Sequence, residues 1–207
     1  LLEGCASGGG RFDPAMLYYS PQIWTSDNTN ARDRVLIQYS SQLAYPASVM
    51  SCHVSNPKGN LHELDLKYKV AVGGILGYEF NVLNTPDEIK EEIRRQVASY
   101  RTFDHLIQNG THYRLASPYE TDLSAYYYQL GDEILLSAIL TNGAAVIGKK
   151  KTVKKLVIRT ADKDATYRDT LGGATYTGAE LRSGIEIGAF DPDETGYDAK
   201  LWHFVKL

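Results

Sequence analysis

The apolar residues of this chain change rhythm at about Thr111, and that change limits the fold more than any other feature. Before it, short apolar runs alternate with stretches of helical spacing. After it, short strand-like runs follow one another with turns between them. The first pattern belongs to βα units of a parallel sheet or barrel, the second to an antiparallel β domain.

In the first part, Leu1–Cys5, Gln22–Trp24, Tyr45–Val54 and a glycine-interrupted run within Val70–Val82 are the expected strands. Ala31–Leu43 sets Val35, Leu36, Tyr39 and Leu43 on one helical face. Thr85-Pro86-Asp87-Glu88 reads as an N-cap, a proline at the first helical position and a capping-box glutamate. Ile89, Ile93, Val97, Tyr100 and Ile107 then supply one apolar stripe up to a stop at Gly110. Four strand–loop units fit within about 110 residues, whereas a whole (β/α)8 barrel takes about 250. The expected fold is therefore α/β plus all-β. Residues 1–110 form the C-terminal half of a TIM barrel, and residues 111–207 an antiparallel β-sandwich domain whose strands include Tyr126–Leu130, Ile134–Leu140, Val153–Arg159, Ala165–Thr170 and Lys200–Leu207. A half barrel leaves two unpaired edges and an open apolar interior, which favour a homo-oligomer, a partner chain or a longer parent chain.

A net charge of −3 gives no reason to expect nucleic acid or a membrane surface as partner. No run of 18 apolar residues is present, and the Leu1-Leu2 start lacks the basic and apolar regions of a signal peptide. Two cysteines make no disulfide framework and fit a reducing compartment, the cytoplasm. Fifteen tyrosines against five phenylalanines suit either strand packing or sugar faces.

Few stretches carry chemistry. Asp27, in QIWTSDNTN, follows a strand and precedes a helix, where barrel enzymes place catalytic carboxylates. Asp27 or Asn28 could equally cap that helix. The CASGGGR loop matches no nucleotide-binding pattern; its glycines either admit a ligand close to the backbone or make a tight turn. Cys5 reads as a nucleophile or as a buried thiol. The five histidines include no H-x-H or H-E-x-x-H spacing, and Cys52 and His53 point to opposite faces of a strand, so neither a metal nor a cofactor is expected. Lys149-Lys150-Lys151 and Lys154-Lys155 read as solvated gatekeepers beside a strand.

The stretch EGCASGGGRFDPAMLYYSPQIWTSDNT resembles the family 36 glycoside hydrolases, the bacterial α-galactosidases. The resemblance rests on Cys5, Ser7 to Asp13, Met16 to Tyr19, Pro21-Gln22, Trp24 and Ser26 to Thr29, and continues in YPASVMSCHVS and GILGYEF. It implies a chain running from the fifth barrel strand through a C-terminal β domain. It also implies retaining hydrolysis of terminal α-1,6-galactosides such as melibiose and raffinose. Asp27 would be the general acid/base, and Cys5, Ser7 and Gly8 would line the galactose subsite. The nucleophile of the family lies in a K-W-D-x-N motif that these 207 residues lack: the only tryptophans, Trp24 and Trp202, precede Thr25 and His203. Ala15, Asn30, Val72 and Ile75 depart from the family pattern and bear on substrate preference, since galactosyltransferases and N-acetylgalactosaminidases share it. The alternative is a non-catalytic carbohydrate-binding or interaction unit.

Overall fold

The structure, a computed structural model, describes residues 2–5, 13–142 and 152–207. It divides into two compact units, Leu1–Gln108 and Asn109–Leu207. The Ser7–Gly8 stretch and Lys149–Lys151 lie outside the described residues.

In the first unit β1 (Glu3–Gly4), β2 (Gln22–Trp24), β3 (Met50–Ser55) and β4 (Ile75–Glu79) pair in parallel and in chain order. Helix α1 (Ala31–Ser41) follows β2, α2 (Leu61–Ala71) follows β3, and α3 (Asp87–Tyr100) and α4 (Asp104–Asn109) follow β4. Paired residues of parallel strands share a face, so the register sorts the sheet into two sides. Ile23, Met50, Cys52 and Val54 occupy one side and are fully buried, with α2 packed on β3 and β4. Each aliphatic chain buried there contributes about 1.5–3 kcal/mol. Glu3, Gln22, Trp24, Ser51, His53, Ser55, Ile75, Gly77 and Glu79 occupy the other side. Apart from Trp24 and Ile75 that side is polar, which corrects the expected open apolar interior. Self-association there would have to match polar groups rather than cover a greasy face.

Local details depart from the sequence reading for identifiable reasons. Helix α1 buries Ala31, Arg34, Val35 and Gln38, while Leu43 is 66% exposed beyond the helix end. The buried stripe is thus rotated onto two polar residues. One of them, Gln38, donates to the Val70 carbonyl at 2.8 Å, and Gln42 donates to Gly73 at 2.9 Å. Both reach carbonyls at the C-terminal end of α2, where Val70 O also accepts from the Gly73 N–H at 3.2 Å. Strand β3 begins at Met50 because Pro46, which has no N–H, starts a one-turn 3₁₀ helix over Ala47–Val49. The single helix expected from Thr85 to Gly110 is two. Pro86 holds the N-cap position without a side-chain hydrogen bond, and the chain breaks between Tyr100 and Asp104. The break turns Phe103 fully inward against the Tyr100 ring, centroids 5.8 Å apart.

The second unit holds β5 (Thr111–Ala116), β6 (Leu123–Leu130), β7 (Glu133–Leu140), β8 (Lys155–Leu156), β9 (Thr166–Asp169), β10 (Thr175–Thr177), α5 (Gly178–Ser183), β11 (Ile185–Glu186) and β12 (Asp198–Lys206). Six strands form an antiparallel sheet ordered β10-β9-β12-β7-β6-β5, and β8 pairs with β11. Gly131, at φ +58°, opens the two-residue turn between β6 and β7, where a left-handed backbone is needed. The core joins Leu123, Tyr127, Leu136 and Phe204 of the sheet to Leu156, Leu181 and Ile185. Among the described residues, the layer facing the sheet is thus the β8–β11 ribbon with α5 rather than a second broad sheet. The tyrosine run serves packing: Tyr126, Tyr127 and Tyr128 are all buried, and Tyr127 stacks on Tyr113 at 4.7 Å. Among the described residues no helix is long and apolar enough to cross a membrane.

Candidate functional site

Asp27 sits three residues beyond β2, at the C-terminal end of a parallel strand, and its side is exposed to solvent. Trp24 reaches it: the indole Nε1–H donates to Asp27 Oδ1 at 3.0 Å. The contact follows from strand alternation. Ile23 turns into the core, so Trp24 lies on the polar side and can orient a carboxylate at the rim.

Helix capping is handled elsewhere. The N-cap of α1 is Asn30, whose side chain accepts from the Arg32 N–H at 3.0 Å. Asn28 shapes the preceding turn: its Oδ1 accepts from the Asn30 N–H, and its Nδ2 donates to Asp33. The α1 cap position is thus filled without the Asp27 carboxylate.

Around Trp24 the polar side is closely built. The His53 ring lies 4.5 Å from the indole, and the Arg34 guanidinium carbon lies 4.6 Å from the ring centroid on the helix side. His53 also approaches Glu79 at 3.8 Å. Burial lowers the His53 pKa and outweighs the upward pull of Glu3 and Glu79, so the imidazole is neutral at neutral pH. Gly77 makes room for that ring; a Cβ there would stand 2.5 Å from His53 Cδ2. Lower on the same side, Glu3 accepts from the Ser51 hydroxyl and from Gln22 Nε2 at 3.2 Å.

Cys5 directly follows β1, whose Gly4 pairs with Ile23, so Cys5 and Asp27 emerge from the same ends of neighbouring strands. Cys5 is exposed, against the buried-thiol reading; Ser7 and Gly8 lie outside the described residues. Cys52 is the buried thiol, pushed up to about 12 by burial, with Arg34 pulling the other way. Burial thus keeps Cys52 in the unreactive thiol form and out of reach of reagents. Iodoacetamide is therefore expected to label Cys5 on the folded chain and Cys52 only in denaturant. Peptide mass analysis reads this directly, and Cys52 labelling at a rate matching Cys5 would refute it.

Among the described residues no group of three or more His, Cys, Asp or Glu side chains could hold a metal ion. A cavity of about 530 Å³ lies in the second unit, lined by Tyr113, Tyr127, Arg114, Lys155 and Arg159. It holds none of the candidate residues, so cavity size is a poor guide to the chemistry here. Arg34 and Glu79 were not singled out from the sequence, Trp24 entered only through the family resemblance, and His53 only as a metal ligand weighed and set aside. A supporting role for Trp24 could have been read from Q-I-W, which alternates around a residue destined for the core.

A protein-family model described as Melibiase matches residues 1–110. The chain is 44% identical over 185 residues to alpha-galactosidase AgaA of Geobacillus stearothermophilus, covering 87% of the chain and 25% of that protein. It is 36% identical to the bifunctional alpha-galactosidase/sucrose kinase AgaSK of Mediterraneibacter gnavus, covering 100% of the chain and 22% of the relative. The crystal structure of GH36 AgaA superposes with a TM-score of 0.83 at 33% identity, over 99% of this chain and 28% of the other. A variant of that enzyme solved in complex with raffinose gives the same score, identity and coverage. The chain thus spans about a quarter of the length of these relatives.

Proposed function

The chain belongs to the melibiase family, and on that premise we propose that it forms the acid/base-bearing part of a retaining α-galactosidase. In this reading β1–β4 are the last four strands of a (β/α)8 barrel, and the antiparallel unit is the C-terminal β domain. The substrates are terminal α-1,6-galactosides of the melibiose and raffinose type. The observation that carries the proposal is the Asp27 carboxylate. It is oriented by the Trp24 indole at the end of a parallel strand and leaves the cap of α1 to Asn30.

The chemistry has two displacements. In the first, a carboxylate attacks C1 of galactose while the Asp27 carboxylic acid gives its proton to the departing glycosidic oxygen. In the second, the Asp27 carboxylate takes a proton from water as that water attacks C1 and releases the nucleophile. The two carboxyl groups must stand about 5–5.5 Å apart. Neither tryptophan of these 207 residues precedes an aspartate, so the nucleophile is assigned to polypeptide outside them. Cys5 and the Ser7–Gly8 stretch are assigned to the galactose subsite. There a glycine lets backbone approach a sugar hydroxyl.

The test is release of p-nitrophenol from p-nitrophenyl α-galactoside. The purified 207-residue chain is expected to give no turnover above buffer, and mixing it with the N-terminal part of a relative that carries the W-D motif is expected to restore it. Clear turnover by the chain alone would overturn the division of the two carboxylates. Galactose binding by the mixture without turnover would favour a binding unit instead.

A further inference from the structure

The Asp27 loop is held from beneath by one buried cation, and we propose that Arg34 is the positioning residue that sets the acid/base carboxylate. This proposal rests on the reading of Asp27 given above. Arg34 is 2% exposed and lies on the inner face of α1. Its Nε donates to the Asn28 carbonyl at 2.7 Å and its Nη2 to the Ser26 carbonyl at 2.7 Å, gripping the carbonyls of the two residues that flank Asp27. Its Nη1 donates to the Thr25 hydroxyl and, at 3.5 Å, to the Ser51 carbonyl of β3. Thr25 Oγ1 itself donates to that Ser51 carbonyl at 3.1 Å. The guanidinium carbon also lies over the ring of Trp24, 4.6 Å from its centroid, and Trp24 is the residue that holds Asp27.

One planar fork thus fixes residues 25, 26 and 28 and bears on the ring whose N–H orients residue 27. A lysine supplies a point charge on a flexible stem and cannot span both carbonyls with fixed angles. An acid/base group must sit within hydrogen-bond reach of the oxygen it protonates, and a displacement of about 1 Å can cost about a hundredfold in rate. Arg34 would act through the loop, without touching substrate.

The chain suits a direct test because Trp24 and Trp202 are its only tryptophans and Met16 and Met50 its only methionines. Nitrogen-15 spectra then show two indole resonances, and Asp27→Asn identifies the one from Trp24. Met50 is fully buried beneath the same sheet, so its methyl resonance reports whether the first unit stays packed. Arg34→Met and Arg34→Lys are expected to keep the Met50 signal, to move and broaden the Trp24 indole signal, and to lower kcat of the reconstituted enzyme by about 10- to 100-fold with KM within about threefold. An unmoved Trp24 signal in a packed variant, or a loss carried by KM, would overturn the proposal. Should both variants lose the Met50 signal, Thr25→Val replaces them, since it removes one Arg34 acceptor and leaves the cation; an unmoved Trp24 signal there overturns the proposal equally. If Arg34 variants move the Trp24 signal while Asp27→Asn keeps full turnover, the acid/base reading fails and the clamp stands.

Discussion

Asp27→Asn is expected to lower kcat/KM for raffinose by about 10²–10⁴-fold in the enzyme reconstituted from this chain and the polypeptide carrying the second carboxylate. The substitution is narrow. An amide oxygen still accepts from the Trp24 indole, so the loop held by that contact keeps its shape, and only the transferable proton is lost. The expected profile depends on the leaving group. A sugar oxygen needs protonation to depart, so the first displacement slows. Nitrophenolate leaves without help, so kcat/KM for the aryl galactoside changes little. Its kcat falls because no base activates water in the second step, and the galactosyl-enzyme accumulates as a burst. Azide needs no base; it is expected to restore turnover and to yield α-galactosyl azide, the product of two inversions at C1. A β-azide would make Asp27 the nucleophile, and unchanged raffinose kinetics would remove it from the reaction.

Much of the fold was legible because the two units differ in period. The parallel pairing of β1 to β4 follows from apolar runs separated by helix-length segments, and Gln22–Trp24 was read to the residue. Helix α2 shows where such reading stops. Leu64, Leu66, Tyr68 and Val70 alternate with polar residues, a period of two, yet the segment is helical. An N-cap bond in which the Glu63 N–H donates to Asn60 Oδ1, together with burial of Leu64, Leu66, Tyr68 and Val70, outweighs the alternation. Of the expected strand Val153–Arg159 only Lys155–Leu156 pairs, as β8, while β10 and β11 span three and two residues and are too short to leave a periodic signal.

The candidate site was legible in position and not in support. Asp27 stood out because a carboxylate between a strand and a helix is a recognised arrangement. The sequence alone left open whether it capped the helix, and Asn30 resolves that locally. Arg34 was hidden because a cation within an apolar helix pattern looks like a break in the stripe. Its reason is three-dimensional: carbonyls of the Ser26–Asn28 turn point into the sheet–helix interface and need donors. Cys52 and His53, adjacent in sequence, divide between core and polar face as alternation requires, and only the packing tells which goes where.

In the second unit the largest structural effect is expected at Gly178, the first residue of α5. Thr177 and Glu180 form a reciprocal capping box there, with Glu180 N–H on Thr177 Oγ1 at 3.1 Å and Thr177 N–H on Glu180 Oε2 at 2.7 Å. Gly178 N–H donates to the Ala165 carbonyl at 2.8 Å, which draws the helix start onto the turn at 162–165. A Cβ at Gly178 would lie 1.7 Å from the Asp162 carbonyl oxygen. That oxygen cannot swing aside like a side chain. It accepts from the Ala165 N–H at 3.1 Å, and the Asp162 N–H is held by the Tyr167 hydroxyl at 2.9 Å. Relief therefore means parting α5 from the turn and losing Leu181, fully buried in the core. Ordinary overpacking costs about 1–3 kcal/mol, and the hydrogen bonds sacrificed here set the upper end of that range as the floor. At about 4–8 °C per kcal/mol for a unit of this size, Gly178→Ala is expected to lower its Tm by about 12 °C or more. Differential scanning calorimetry measures the shift, and a Tm within about 3 °C of the parent would show that the turn and α5 are not packed as described.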